Sequence, residues 1–403
     1  MADFVIVLIL FVQLLLMIRV CLKNAGLFDV MLLSLLIKLG LILFLFPTGT
    51  TETSDAIMYF EQAHGLVSGS TGFQGIFSGS ALWGTNLIIG VTACILRVVG
   101  PSLTVATLAF ALPSFWGAYI YYCAFREVFP QANFLYARIV LFLYPSIVYW
   151  TATLGKDGLV FLFLSLVAYG RARLESQRTA ALWFVMLGGV AGCALIRPHI
   201  GALLVISTSA SFIFARKGKE KHGIRKAVLA VVLASLSLAL VYICAQLLRL
   251  SDIQEAQQQV ALTTASNGQG SSGFEQSSNP LYRLPLAPLL LVRPFPWEAE
   301  GAPAALASAE GVLLLFMIVI RCKRIQESMK ASRCSGFMIY VRWFVVLNVL
   351  LLALGSSNFG LLVRQRAMIL PLIALAALGS FTRARSCVDS RLGELRLRPA
   401  AAK

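Results

Sequence analysis

Residues 4–22 read FVIVLILFVQLLLMIRVCL, and residues 30–46 read VMLLSLLIKLGLILFLF. Each is an apolar run of the length that crosses a hydrocarbon core of ~30 Å at ~1.5 Å per helical residue. The pattern repeats along the chain, with further candidate spans at 81–98, 103–125, 134–150, 158–170, 180–196, 200–215, 227–248, 306–320, 337–354 and 361–378. The fold class expected is therefore all-α: a polytopic helical membrane protein of about 11–13 transmembrane helices, forming one integral membrane domain over residues 1–403. The first run follows an acidic MADF rather than a basic n-region, and no A-x-A cleavage site comes after it. It is read as a retained span rather than a signal peptide. Lys38 lies inside the second run, where snorkelling to the head groups accounts for it.

Composition points the same way. The chain is 58% hydrophobic and only 13% charged, with a mean hydropathy of +0.81, whereas a soluble domain carries about twice that charged fraction. The net charge of +16 would suit nucleic acid, but the basic residues sit in short loops and the tail, with no basic stripe interleaved with aromatics. The expected partner is a lipid bilayer and not nucleic acid. The eight cysteines include no CxxC and none is placed in an external loop, which argues against a disulfide framework or a thiolate metal site.

Basic segments fix the orientation. Residues 171–178 (RARLESQR), 216–226 (RKGKEKHGIRK), 321–333 (RCKRIQESMKASR) and the tail over 381–403 are cytoplasmic by the positive-inside rule. The segments 154–158, 197–199, 249–305 and 355–360 then lie outside. The longest, 249–305, begins rich in Ser, Gly and Gln and turns proline-rich (PLYRLPLAPLLLVRPFPWE), the pattern of a functional lid. Toward the N-terminus two anchors conflict. Arg19 and Lys23 put the first polar loop, 47–80, outside, whereas counting back from Arg171 puts it inside. One segment there, 81–98 or 73–79, must be re-entrant or lie along the membrane surface.

The polar stretch 47–69 (PTGTTETSDAIMYFEQAHGLVSG) turns helical and sets Asp55, Tyr59, Gln62 and Leu66 on one face. In isolation Thr53, Ser54 and Asp55 would simply cap that helix. The rest of the external edge adds to it: Glu61 and His64, Lys156 and Asp157, Arg197 and His199, Arg283, Arg293, Trp297 and Glu298, then Arg364 and Arg366. Ionisable groups at a membrane edge cost free energy and mark function. Lys156, Arg197, Arg293, Arg364 and Arg366 suit a phosphate, which arginine binds through its planar fork of donors. Asp55 and Asp157 are the catalytic candidates beside it, one of them taking a proton from an attacking hydroxyl. The same carboxylates are equally suited to a divalent cation, and the sequence leaves that open.

The run D-A-I-M-Y-F-E-Q-A-H-G-L at 55–66 resembles the first external loop of GT-C superfamily glycosyltransferases, which often reads D-x-x-x-Y-x-x-x-A-x-x-L. The order that follows is similar too: R-V-V-G-P-S at 97–102, F-R-E-V-F-P at 125–130, and L-Y-P-S-I-V-Y-W-T-A-T-L-G-K-D-G-L at 143–159. The resemblance covers about 48–173 and lacks the soluble C-terminal domain of some members. It implies a GT-C-like fold, a polyprenyl-phosphate-linked sugar donor, an optional metal, Asp55 as catalytic base, and Asp157 as an acidic residue facing the same site. The function expected is sugar transfer to a glycan or lipid-linked acceptor at the outer face of a bacterial inner membrane. Two alternatives stand beside it: a Wzy-like polysaccharide repeat-unit polymerase holding lipid diphosphates through Arg364 and Arg366, and a lipid-linked oligosaccharide flippase.

Overall fold

Hydrocarbon offers no water to a peptide group, so a chain inside it must close its own backbone hydrogen bonds, and the apolar runs accordingly form helices. The computed structural model describes residues 2–22, 24, 26–45, 54–69, 76, 83–130, 134–215, 280–331, 335–356 and 358–378. In chain order these form α1 (Ala2–Cys21), α2 (Phe28–Gly40, continued by a π-helical turn, Leu41–Leu45), α3 (Ser54–Ser68), α4 (Gly84–Val99) and α5 (Leu103–Val128). There follow α6 (Leu135–Leu143), α7 (Pro145–Trp150), α8 (Lys156–Arg173), α9 (Ala180–Ile196) and α10 (Pro198–Phe214). Two 3-10 segments, Pro280–Leu291 and Pro296–Glu298, precede α11 (Gly301–Ala331), α12 (Gly336–Gly355) and α13 (Phe359–Leu378). Asp3–Cys21, Leu103–Val128, Ala304–Lys323, Gly336–Leu354 and Phe359–Ala376 are long and apolar enough to cross a membrane, and α4, α9 and α10 are shorter apolar helices. Phe4, Phe11, Phe184, Phe316 and Val319 stay exposed, as side chains facing lipid do. The protein is an all-α, membrane-embedded helical bundle.

Two ends can be told apart. Helices α5 and α8 pack along each other in parallel: a Cβ on Gly117 would stand 3.0 Å from the Leu162 Cα, and Arg173 meets Glu127 at 2.8 Å. At that basic end Arg126 donates to Asn24, Arg138 to the Gly26 carbonyl at 2.7 Å, and Arg171 to Ser211 at 2.7 Å. Arg321 lies 5.3 Å from the Tyr136 ring. Glu175 caps α12 there, accepting from the Phe337 N–H at 2.6 Å. The opposite end carries Asp55 and the starts of α8 and α13.

Helix α4 resolves the conflict between the two sequence anchors. Its start lies at the Asp55 end, because Lys156 Nζ donates to Thr85 Oγ1 at 2.7 Å. Its last residue passes through Gly100, at φ +94°, a conformation that glycine adopts without strain, and Ser102 directly caps α5. Since α5 runs parallel to α8, it also starts at the Asp55 end. Helix α4 therefore enters and leaves on one side. Of the alternative, 73–79, all but Ile76 lies outside the described residues, as does the expected span 227–248.

Three expectations need correction, and the proline-rich segment finds its place. The run 134–150 is two helices, because Pro145 pushes Tyr144 out of the helical region to φ −67°, ψ 120°. Lys38 does not snorkel: it is buried, and its ammonium donates to Thr151 Oγ1 at 2.6 Å, Ser114 Oγ at 3.0 Å and the Val148 carbonyl at 3.4 Å. The basic stretch after 321 continues α11 as helix to Ala331 rather than forming a loop. The proline-rich part of the presumed lid packs on α12 with Ala287, Leu290 and Val292 buried. Arg366, 0% exposed, pins it by donating to the carbonyls of Leu291 and Arg293, both at 3.0 Å. Residues 249–279 of that loop lie outside the described residues.

The same-side placement of α4 has a direct check. In a cysteine-free background, Trp83→Cys and Pro101→Cys should both react with an impermeant thiol reagent from one side of sealed, oriented vesicles. Ser176→Cys should react only from the other side. Labelling of positions 83 and 101 from opposite sides would make α4 a crossing helix.

Candidate functional site

The site is a chain of alternating charges. Asp55, in the first turn of α3, accepts from Arg364 Nη1 at 2.8 Å, with 42% of its side chain exposed. Arg364, in the second turn of α13, also donates from Nε to Asp157. Asp157 is the second residue of α8 and is 1% exposed; its other oxygen accepts from Arg197 Nη2 at 2.5 Å. Arg197 stands in the break between α9 and α10, held extended at φ −136°, ψ 87° by the proline that follows it. Asp55, Arg364, Asp157 and Arg197 thus tie together α3, α13, α8 and the α9–α10 junction.

Around this chain the residues divide into those that fix the arginines and those left open. The Trp150 ring centroid lies 5.7 Å from Arg364 Cζ, within cation–π reach, and Tyr149 meets Trp150 edge-on. Tyr59, one turn after Asp55, is buried. That burial raises its phenol pKa, the Asp55 carboxylate adds to the effect, and Tyr59 keeps its proton at neutral pH. Arg364 Nη2 makes no hydrogen bond with the described residues. It faces Gly155, where a Cβ would stand 3.7 Å from both Nη2 and Tyr59 Cε2. Gly155 is the N-cap of α8 and provides no side-chain cap, so the open guanidinium nitrogen lies beside a helix N-terminus whose first N–H groups have no side-chain acceptor from the cap. Backbone N–H groups and a cation together favour an anion.

The two catalytic candidates have unlike roles. Both oxygens of Asp157 receive guanidinium hydrogens in a buried setting, so this carboxylate holds the two arginines in place. Asp55 is the one open to a substrate. Arg364 bridges the two carboxylates, and no group of three or more His, Cys, Asp or Glu converges among the described residues.

Several other sequence candidates fall elsewhere. Arg366 is two residues beyond Arg364, hence on the far side of the helix, and meets Glu310 at 3.6 Å in a separate buried cluster. Arg293 grips Glu298 at 3.1 and 2.5 Å. Burial there favours the neutral acid, but Arg293 and the Phe295 N–H outweigh it and hold the Glu298 carboxyl below its usual range. Trp297 stacks on Phe295 at 4.9 Å, and Arg283 donates to the Leu354 carbonyl at 3.2 Å. On α3 the buried face is Ala56, Tyr59 and Ala63, whereas Gln62, Glu61 and His64 are exposed and His64 stacks on Phe60. His199, in the first turn of α10, is exposed next to Arg197. Thr85, Trp150 and Gly155 belong to the site with no signal in the sequence. Glu310 had one, as a carboxylate inside an apolar run.

Comparison with protein-family models, curated proteins and solved structures finds no match. The site is therefore read from its own chemistry.

The division of labour predicts unequal stability losses. Asp157→Asn leaves two buried guanidinium groups poorly compensated and should cost about 3–5 kcal/mol. Asp55→Asn breaks a half-exposed pair and should cost about 0–1 kcal/mol. Denaturation in detergent measures both, and equal losses would contradict the assignment.

Proposed function

We propose that this protein is a membrane glycosyltransferase, moving a sugar from a polyprenyl-phosphate-linked donor to a hydroxyl of a glycan or lipid-linked acceptor. The observation that carries this reading is a half-exposed carboxylate, Asp55, beside the part-buried Arg364, whose Nη2 makes no hydrogen bond with the described residues. Arg364, Arg197 and Lys156 outnumber Asp55 and Asp157 as charges in the site, which favours a bound phosphate. In the proposed step the donor phosphate lies against Arg364 Nη2 and the α8 N-terminus and loosens the Arg364–Asp55 contact. Asp55 takes the proton of the acceptor hydroxyl as its oxygen bonds to the anomeric carbon. The carbon–oxygen bond to phosphate breaks, and its electron pair remains on the phosphate oxygen, where the arginines stabilise the charge. Tyr59, still protonated, is available as a hydrogen-bond donor beside it.

Burial of Arg366 against backbone carbonyls removes half of the arginine pair on which a repeat-unit polymerase reading depended. A flippase reading gains two buried charges, Lys38 and Glu310, but both are bonded to the ends of α7. The orientation we assign, with the Asp55 end outside, follows from the basic residues gathered at the other end.

The test is transfer from a synthetic polyprenyl-phosphate sugar to a hydroxyl acceptor by the protein in nanodiscs. Asp55→Asn should lower turnover by roughly 10²–10⁴-fold with little change in donor KM. An Asp55→Asn variant of full activity would remove the base from the mechanism. Net movement of lipid across a vesicle without bond formation would instead favour the flippase.

A further inference from the structure

Helix α7 spans only Pro145–Trp150, too short to be stable alone. Inside a membrane its end groups need partners from elsewhere. At its start the Glu310 carboxylate, from α11, accepts the Ser146 N–H at 2.6 Å and also the Ser146 hydroxyl. Tyr144 fixes the same turn of α11, donating to the Glu310 carbonyl at 3.1 Å. At the other end the Lys38 ammonium, from α2, donates to the Val148 carbonyl and Thr151 Oγ1. Ser114, from α5, shares that knot: it accepts from Lys38 at 3.0 Å, and its one hydroxyl hydrogen is shared between the Ala111 carbonyl at 2.6 Å and the Thr151 carbonyl at 3.0 Å. An anion meets the N–H end and a cation meets the C=O end, the signs each end favours. Neither charge takes part in the proposed transfer. Apolar residues of similar volume would avoid the desolvation cost of both; Glu310 also meets Arg366 at 3.6 Å, and the bonding to α7 is what the two charges have in common.

What α7 carries is the site. Its last residue, Trp150, lies against Arg364, and the chain then runs through 151–155 to Gly155, Lys156 and Asp157. We propose that Lys38 and Glu310 are positioning residues, an opposite-charge clamp on α7 that sets Trp150 and the 151–155 turn and thereby aims the open side of Arg364. Only the activity arm of the test below rests on the transfer reading.

Hydrogen–deuterium exchange on the full chain in nanodiscs reads the clamp directly. The Thr151 and Ala152 amides bond to Ile147 and Tyr149, and the Leu174 and Gln177 amides at the basic end bond to Gly170 and Arg173. In Lys38→Met, exchange at 151 and 152 should rise about tenfold or more while 174 and 177 change by less than about twofold. Glu310→Gln, which keeps an acceptor for Ser146, should give a smaller rise at the same amides. Unchanged exchange at 151 and 152, or an equal rise at both ends, would overturn the proposal. If Lys38→Met does not fold, Ser114→Ala removes one acceptor and keeps the charge, and exchange at 151 and 152 should still rise; no change there would also overturn it. In the transfer assay Lys38→Met and Trp150→Ala should each lower turnover, and the double variant should be no slower than the slower single one. Multiplied losses would mean that Lys38 does not act through Trp150. A wild type with no transfer at all would defeat the functional reading and leave the exchange result to decide the clamp.

Discussion

A carboxylate buried in a membrane protein must be paired or lose its charge, and Asp157 is paired twice. Its two oxygens set where Arg197 and Arg364 can lie, and Arg364 in turn reaches out to Asp55 on the peripheral helix α3. Remove Asp157 and two guanidinium groups remain crowded together in a poorly solvated setting. The site is therefore built outward from Asp157.

The bundle adds a second bias toward anions. Asp55 lies in the first turn of α3, Thr85 in that of α4, Lys156 and Asp157 in that of α8, and His199 in that of α10, with Arg364 one turn into α13. Many helices thus begin at one end of the molecule. Their first N–H groups lack intrahelical acceptors and carry partial positive charge. Parallel packing of α5 and α8 and the return of α4 to its own side bring this about. Lys38 and Glu310 keep the short helix between them in place, so the same electrostatic logic operates in the interior, there directed at the protein's own backbone.

Much of this was legible in the sequence. In a chain with few charges, Asp55, Asp157, Lys156, Arg197 and Arg364 stood out as ionisable groups at span edges, and the structure brings them together. The conflict between Lys23 and Arg171 required a segment that turns back, and α4 does so. Other readings failed for reasons that can be named. A charge inside a span shows its position along the helix but not its bonding, so the sequence suggests snorkelling for Lys38, whereas it binds Ser114 and Thr151, far away in sequence. Arg364 and Arg366 look like one pair in the sequence, but an i, i+2 spacing puts them on opposite faces. Pro145 announced a break in 134–150, but only the fold could supply Glu310 as the group that caps it. Thr85 and Trp150 are ordinary residues made significant by their neighbours.

The most direct measurement is a cryo-electron microscopy map of the nanodisc-embedded protein with a short-chain polyprenyl phosphate. The account predicts phosphate density about 3 Å from Arg364 Nη2, beside the α8 N-terminus, with the Arg364–Asp55 contact opened and Asp157 still between its two arginines. Phosphate bound instead at Arg283 and Arg293, or at the basic end, with the Asp55–Arg364–Asp157 chain unchanged, would contradict it.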